Sequence, residues 1–181
     1  MKNHGRKNIR ISRIDFLSKI FKNEERLLIP SPKVKTYENT PEMSAPKITK
    51  KLLELIHSGK HQFILTNFAN PDMVGHTGFL NKTEQAIKDI DSHLSRIIPA
   101  ALKKDYTVIV TADHGNAEQM LYPDGTICTA HTTNQVPFII VSKEKITLQK
   151  RKNAALYDIA PTVLKIIGVK KPREMTGKSL V

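Results

Sequence analysis

The chain has 181 residues, of which 39% are hydrophobic, and no apolar run approaches the roughly 20 residues that a membrane-spanning helix needs. This composition is enough for the core of one soluble domain and argues against a membrane protein. The single cysteine, Cys128, excludes an internal disulfide, and the first residues do not have the pattern of a secretory signal, so a cytoplasmic location is expected.

The formal net charge of +12 comes from the two ends of the chain. Residues 1–26 hold eight Lys or Arg against three acidic residues, and residues 143–178 hold ten against three. Basic ends can attract nucleic acid, but the few aromatic residues are not interleaved with the basic ones, as base stacking would require. Solvated basic faces, or attraction of a small anionic substrate, explain the charge better than nucleic-acid binding does.

The first part of the chain contains few signals for regular structure. Residues 1–22 are basic with only short apolar groups, and no element is predicted there. Three prolines between residues 30 and 41 then favour an extended segment over the surface. Lys33, which follows Pro32 on this stiff backbone, could present its ammonium group to a phosphate, but the sequence alone favours a solvated lysine.

The middle of the chain alternates helix and strand patterns. A helix is predicted from a cap at Ser44 to Gly59, because its apolar residues recur on one face. A short apolar strand, residues 62–67, follows, and then a loop, residues 68–78. A capping box formed by Asn81 and Glu84 predicts the start of a second helix, which the apolar spacing continues to Pro99.

The last part of the chain repeats this alternation. A strand is predicted over residues 106–112, a loop with a Pro-Asp-Gly turn over 115–135, a strand over 136–142 and a helix over 155–167 that Gly168 stops. Alternating strands and helices of these lengths predict an α/β fold with a mostly parallel sheet and helices on both faces.

Three of the predicted loops carry residues that can bind a metal. Asp113 and His114 follow the carboxyl end of the strand 106–112, and parallel α/β sheets bind their ligands at this end of the strands. An isolated Asp-His pair more often orients or caps its neighbours, but Asp72, His76 and His131 add similar residues in two further loops. Carboxylate oxygen together with imidazole nitrogen suits Mn or Zn and disfavours Mg. Cys128 could be a further ligand, but an ordinary loop thiol is the better interpretation.

Five blocks of the sequence resemble consecutive blocks of the cofactor-independent phosphoglycerate mutase family of the alkaline phosphatase superfamily. In chain order they are LLIPSPKVKTYENTPEMSA, NFANPDMVGHTG, VTADHGNAEQM, TAHTTNQVPFIIV and ALYDIAPTVLKIIGVKKPREMTGKSL. The resemblance runs from about Asn23 to the end. It implies an alkaline-phosphatase-like fold that is incomplete, with residues 23–181 forming the carboxyl-terminal part of the metal-binding domain and residues 1–22 forming an unmatched basic segment.

The resemblance also implies roles for individual residues. Asp72, His76 and His131 would bind one of two Mn ions, and Asp113 and His114 would contribute to the second. Lys33 would neutralise the phosphoryl group or the oxygen of a phosphorylated serine. The reaction implied is the glycolytic interconversion of 3-phosphoglycerate and 2-phosphoglycerate through a phosphoserine intermediate.

The family's nucleophilic serine, a further aspartate ligand and the substrate-gripping domain have no counterpart in this sequence. The resemblance therefore implies a segment that is inactive alone, with a separate chain supplying the missing half. A degenerate metal-binding fragment without catalysis is the alternative. One metal site is expected to be complete, because three ligands of the first ion are present and only two of the second.

Overall fold

The computed structural model describes the backbone of residues 7–12 and all of residues 21–181. The strands are β1 (Lys7–Ser12), β2 (Glu24–Leu28), β3 (His61–Thr66), β4 (Val108–Thr111) and β5 (Phe138–Val141). The α-helices are α1 (Ala45–Ser58), α2 (Asn70–Gly75), α3 (Leu80–Lys103) and α4 (Ile159–Ile166), and short 3-10 helices form at Tyr37–Asn39 and Leu156–Asp158. No helix among the described residues is both long and apolar enough to cross a membrane.

Two sheets form among the described strands. β1 lies between β2 and β3 and is parallel to both, whereas β4 pairs with β5 in antiparallel fashion. The predicted α/β class is confirmed, and the sheet is incomplete. The antiparallel β4–β5 pair departs from purely parallel pairing, because the two strands are joined by a loop without a crossover helix. Strand β1 lies in the segment where the sequence predicted no element, and the remainder of residues 1–20 lies outside the described residues.

The core of the first compact unit, which ends at Val141, lies where α1 packs on α3. Buried side chains of α1 and α3 form its centre, and partly buried residues of β3 and β4 pack against it: Ile48, Leu52, Leu55, Ile56, Ile97 and Ala101, with Ile64 and Val108. The apolar spacing of α1 therefore places its buried face as the sequence predicted. Gly59 ends α1 with φ of 61°, a left-handed conformation that glycine adopts without a Cβ penalty.

Helix α3 differs from its prediction at both ends. The capping box is wrong, because Asn81 lies inside the helix and the first turn closes on the carbonyl oxygen of Phe79 instead. The helix also continues through Pro99 to Lys103. Pro99 is exposed, so solvent can satisfy the carbonyl that its missing N–H leaves unpaired. Burial of Ile97 and Ala101 on either side of it favours continuation of the helix.

The second compact unit, Ser142–Val181, is organised around the fully buried carboxylate of Asp158. This carboxylate accepts hydrogen bonds from the N–H groups of Lys178 (2.7 Å) and Ala155 (3.0 Å) and pairs with the guanidinium of Arg151. Burial by itself would raise the pKa of Asp158, but the three donors outweigh it and hold that pKa below its ordinary value.

Candidate metal centre

The first two ligand candidates are set by helix α2, which replaces part of the predicted loop 68–78. Pro71 lies in its first turn, and the buried Asn70 amide donates to the carbonyl oxygens of Pro41 (2.8 Å) and Glu42 (2.6 Å). These bonds fix the start of the helix against the preceding segment. Asp72 lies in the helix and His76 caps it four residues later, so the two side chains lie on one face.

The other candidates are brought together by the pairing of β4 with β5. Asp113 and His114 follow β4, and His131 lies in the loop that leads back to β5. Gly115 and Thr132 form an isolated antiparallel bridge, in which the Thr132 N–H donates to the Gly115 carbonyl at 2.9 Å. Residues 113–115 and 131–132 therefore lie side by side, although they are far apart in the sequence.

Three imidazoles converge on one carboxylate oxygen. The Oδ1 atom of Asp72 lies 3.0 Å from His131 Nε2, 3.1 Å from His76 Nε2 and 3.9 Å from His114 Nε2. The Nε2 atoms of His76 and His131 are 3.0 Å apart, and the His114 and His131 rings stack with centroids 3.9 Å apart. The structure therefore brings four of the predicted ligands into one cluster.

The second nitrogen of two of these rings is held by a backbone carbonyl. His76 Nδ1 lies 2.5 Å from the Thr129 carbonyl oxygen, and His114 Nδ1 lies 3.3 Å from that of Gly115. A proton on each Nδ1 makes these contacts hydrogen bonds and leaves the Nε2 lone pairs free to bind a cation.

The donor set fits a divalent transition metal. One ligand atom each from Asp72, His114 and His131 lies within 4.8 Å of the others. One anionic oxygen and several neutral nitrogens suit Mn, Co or Zn, whereas Mg prefers oxygen ligands. A cation at this point would also offset the repulsion between lone pairs that are directed at one another.

Asp113 and Lys33 lie apart from the centre of this cluster. The Asp113 side chain is 77% exposed, and its Oδ1 atom is 3.8 Å from His114 Nε2. The Nε2 atom of His114 thus lies about equally far from Asp113 and Asp72, so the structure does not separate His114 from the ligands predicted for the first ion. Lys33 is exposed between β2 and the 3-10 helix at Tyr37–Asn39, and no hydrogen bond or ion pair among the described residues joins it to the cluster.

Sequence reasoning missed two residues that contact the loops of the site. Asn116 is buried and its amide Nδ2 donates to Asp72 Oδ1 at 3.3 Å. The carboxylate of Glu118 accepts from the Asn116 N–H at 2.7 Å and from the Thr132 hydroxyl. The only available signal was the density of polar residues directly after His114, which does not identify their partners.

Glu118 is an anion under ordinary conditions. Partial burial acts to raise the pKa of Glu118, but hydrogen bonds from Thr132, from the Asn116 N–H and from Asn134 outweigh it and lower that pKa. Glu118 therefore accepts these hydrogen bonds as a negatively charged carboxylate.

The chain is similar to phosphoglycerate mutases over most of its length. It is 53% identical over 161 residues to the 2,3-bisphosphoglycerate-independent phosphoglycerate mutase of Clostridium kluyveri and 52% identical over 161 residues to that of Listeria monocytogenes. These matches cover 88% and 89% of this chain, but only 31% of each relative, so the chain spans about a third of the length of the curated relatives.

A solved structure gives the same result. A phosphoglycerate mutase of Leishmania mexicana, crystallised at low cobalt concentration, superposes with a TM-score of 0.82 at 26% identity. The match covers 97% of this chain and 37% of that one. The family model of the metalloenzyme superfamily matches residues 9–171, and the chain therefore belongs to that superfamily.

Proposed function

We propose that this chain is the metal-binding segment of a phosphoglycerate mutase, an isomerase of glycolysis that interconverts 3-phosphoglycerate and 2-phosphoglycerate through a phosphoserine intermediate. The observation that carries the proposal is the convergence of the His76, His114 and His131 Nε2 atoms on Asp72 Oδ1. The similarity to the Clostridium and Listeria mutases supports the choice of phosphoglycerate as the substrate.

Manganese is proposed as the metal. Asp72, His76 and His131 would hold the first ion, while Asp113 and His114 would contribute to the second. Bound metal in such a site stabilises negative charge on a transferring phosphoryl group and on the oxygens that give and receive it. Lys33 would add a further positive charge near the phosphoryl group.

The chain's own residues would act by holding these groups in place. The backbone carbonyls of Thr129 and Gly115 orient two imidazoles through Nδ1, and the amide of Asn116 orients the carboxylate of Asp72. Fixed orientation contributes to phosphoryl transfer because catalysis there depends on positioning and electrostatic stabilisation.

The remaining parts of the reaction are proposed to come from another polypeptide. The relatives are about three times as long as their matched part, and the resemblance assigns the serine nucleophile and the substrate-gripping domain to segments that this sequence does not match. A separate chain carrying those segments is the proposed partner. A cytoplasmic location is proposed with it, which fits the free thiol of Cys128.

Complementation tests the proposal. The unmatched part of the Clostridium kluyveri relative is expressed separately and mixed with this chain and Mn, and conversion of 3-phosphoglycerate is followed. We expect turnover by the mixture, none by either component alone, and none when the chain carries Asp72→Asn. Tight Mn binding without turnover in the mixture would instead support a degenerate metal-binding fragment, and absence of Mn binding would reject both functions.

A further inference from the structure

The Glu118 carboxylate joins the two loops that carry His114 and His131. Its Oε2 atom accepts from the N–H of Asn116 at 2.7 Å, two residues after His114. Its Oε1 atom accepts from the Thr132 hydroxyl and from the Asn134 amide at 3.1 Å, on the loop of His131. One side chain thus bridges the two sides of the cluster.

This bridge acts together with the backbone. The Thr132 N–H donates to the Gly115 carbonyl at 2.9 Å, and each of these residues directly follows a histidine of the cluster. A Cβ on Gly115 would overlap the Thr132 hydroxyl and lie 2.5 Å from Glu118 Oε1, so it would displace these two side chains from each other. The spacing of the two imidazoles is therefore set by contacts one to four residues away from them.

Asn116 extends the same set of contacts to helix α2. It is only 5% exposed, its N–H donates to Glu118, and its Nδ2 donates to Asp72 Oδ1 at 3.3 Å. Gly75 has no Cβ to overlap the Asn116 amide oxygen, which lets helix α2 approach it. Helix α2 and the two loops that carry His114 and His131 are thereby connected through Asn116 and Glu118.

Glu118 has no role as a ligand in this arrangement. Both of its oxygens accept hydrogen bonds from Asn116, Thr132 and Asn134, and it is not among the side chains that converge as a metal site in the described part of the chain. We propose that Glu118 is a positioning residue, which acts through Asn116 and Thr132 to hold Asp72, His114 and His131 at the separation that a metal ion requires. This inference rests on the metal site of the proposed function.

The effect of such partners on metal sites is well defined. Loss of a group that orients the ligands typically weakens metal binding by about 10–100-fold while the ligands themselves remain. We therefore expect Glu118→Ala in the full 181-residue chain to bind the same number of Mn ions as the unaltered chain, with affinity at least about 10-fold weaker. The visible absorption of bound Co should also change, since it reports ligand geometry.

Glu84→Ala is the matched control. Glu84 is also an exposed glutamate, and its ion-pair partner is Lys88 on α3, which is not a residue of the cluster. The same chemical change there should leave Mn affinity and the Co spectrum unaltered. Far-ultraviolet circular dichroism of the metal-free proteins checks that both variants are folded.

Glu118→Gln tests the positioning role of Glu118 if the alanine variant does not fold. It keeps one acceptor oxygen for Thr132 and Asn134 but places an NH2 group against the Asn116 N–H, so we expect weakened Mn binding and an altered Co spectrum. Mn affinity and Co spectrum like those of the unaltered chain in a folded Glu118 variant would overturn the inference. If the unaltered chain itself binds neither metal, the proposed function fails first, and the inference fails with it.

Discussion

His131 is the most exposed imidazole of the cluster, with a side chain that is 50% exposed against 38% for His76 and 30% for His114. It nevertheless contacts both other histidines: its Nε2 atom lies against Nε2 of His76, and its ring stacks on the ring of His114. Its loss would remove a proposed ligand and also a packing partner, so the cluster depends on it more than its exposure suggests.

The first prediction compares His131→Ala with Asp113→Asn. We expect the unaltered chain to bind one Mn ion tightly and a second weakly at most. His131→Ala should remove most of the tight binding, because His131 Nε2 lies 3.0 Å from Asp72 Oδ1. Asp113→Asn should weaken mainly the binding of the second ion, because the Asp113 side chain is exposed. Isothermal titration with Mn measures both, and two equally tight ions would contradict this division.

The second prediction concerns Gly115→Ala. The added methyl group would overlap the Thr132 hydroxyl, and relief of such overpacking typically costs about 1–3 kcal/mol and moves the backbone. We expect weaker Mn binding together with lower stability. Gly59→Ala is the control, because it strains a left-handed residue by about 1–2 kcal/mol but has open space around it. It should lower the melting temperature and leave Mn affinity unchanged; equal loss of affinity in both variants would mean that the effect is general instability.

At the scale of elements, the Asp158 carboxylate connects three segments of the second compact unit. It holds the 3-10 helix Leu156–Asp158, the start of α4 and the segment near Lys178. Thr162 continues the connection, since its hydroxyl donates to the Asp158 carbonyl and accepts from the Leu180 N–H at 2.9 Å. The short helix α4 is therefore stabilised by polar contacts as well as by its apolar face.

The third prediction is that Asp158→Asn destabilises the chain at neutral pH but not in strong acid. Hydrogen bonds to charged groups contribute about 1.5–3 kcal/mol, and each kcal/mol moves the melting temperature by about 2–4 °C at this chain length, so we expect a fall of roughly 5 °C at pH 7. The folded pKa of Asp158 is lowered. Its contribution is therefore fully present above the ordinary aspartate pKa of about 3.9 and is lost as pH falls through the lower folded value.

Thermal melts of both proteins between neutral pH and pH 2 measure this difference. It should be largest at neutral pH and shrink below about pH 4. A difference that stays constant through the acid range would show that the charge of Asp158 does not contribute.

Periodic signals in the sequence predicted the elements well, and the exceptions have physical causes. The apolar spacing placed α1, β3, β4 and β5 within about two residues, because burial on one face creates that spacing. The last helix was predicted to start at residue 155, but α4 begins only at Ile159, after the 3-10 helix Leu156–Asp158. Tertiary packing overrode local propensity at Pro99, where burial of Ile97 and Ala101 keeps α3 helical. Strand β1 was not predicted, because only two apolar residues, Ile9 and Ile11, alternate with polar ones in a short basic run.

The candidate site was only partly predictable for a different reason. Ligand-type residues such as Asp72 and His131 could be recognised from their chemistry, and the structure brings them together. Their roles as metal ligands stay a prediction. The contacts of Glu118 with Thr132 and Asn134 join residues that are 14 and 16 positions apart across an irregular loop. Such contacts leave no periodic pattern in the amino-acid sequence, so only the folded structure reveals them.

At the scale of the whole molecule, strand edges remain without a partner among the described residues. In the three-stranded sheet, β3 pairs with β1 on one side only, and β4 and β5 pair only with each other. Leu65 of β3 is 47% exposed. Open edges next to exposed apolar residues favour association with other chains.

The fourth prediction follows from these edges. We expect the purified chain to self-associate with rising concentration, and Leu65→Lys to reduce this, because a charged side chain in an edge strand opposes pairing. Leu148→Lys is the matched control, since Leu148 is 43% exposed but lies in no strand. Sedimentation velocity at several concentrations measures association, and an equal effect of both substitutions would show that net charge, not the strand edge, is responsible.

The burial of Cys128 makes the motion of the loop that carries His131 measurable. Its side chain is 3% exposed, its Sγ lies 3.9 Å from the Ala130 carbonyl, and it is the only thiol in the chain. A thiol reagent can therefore react only when the loop before His131 opens. The rate of thiol modification then measures that local opening. We expect saturating Mn to slow the reaction at least several-fold by holding His131 in place, and a rate indifferent to Mn would mean that the loop opens without releasing the metal.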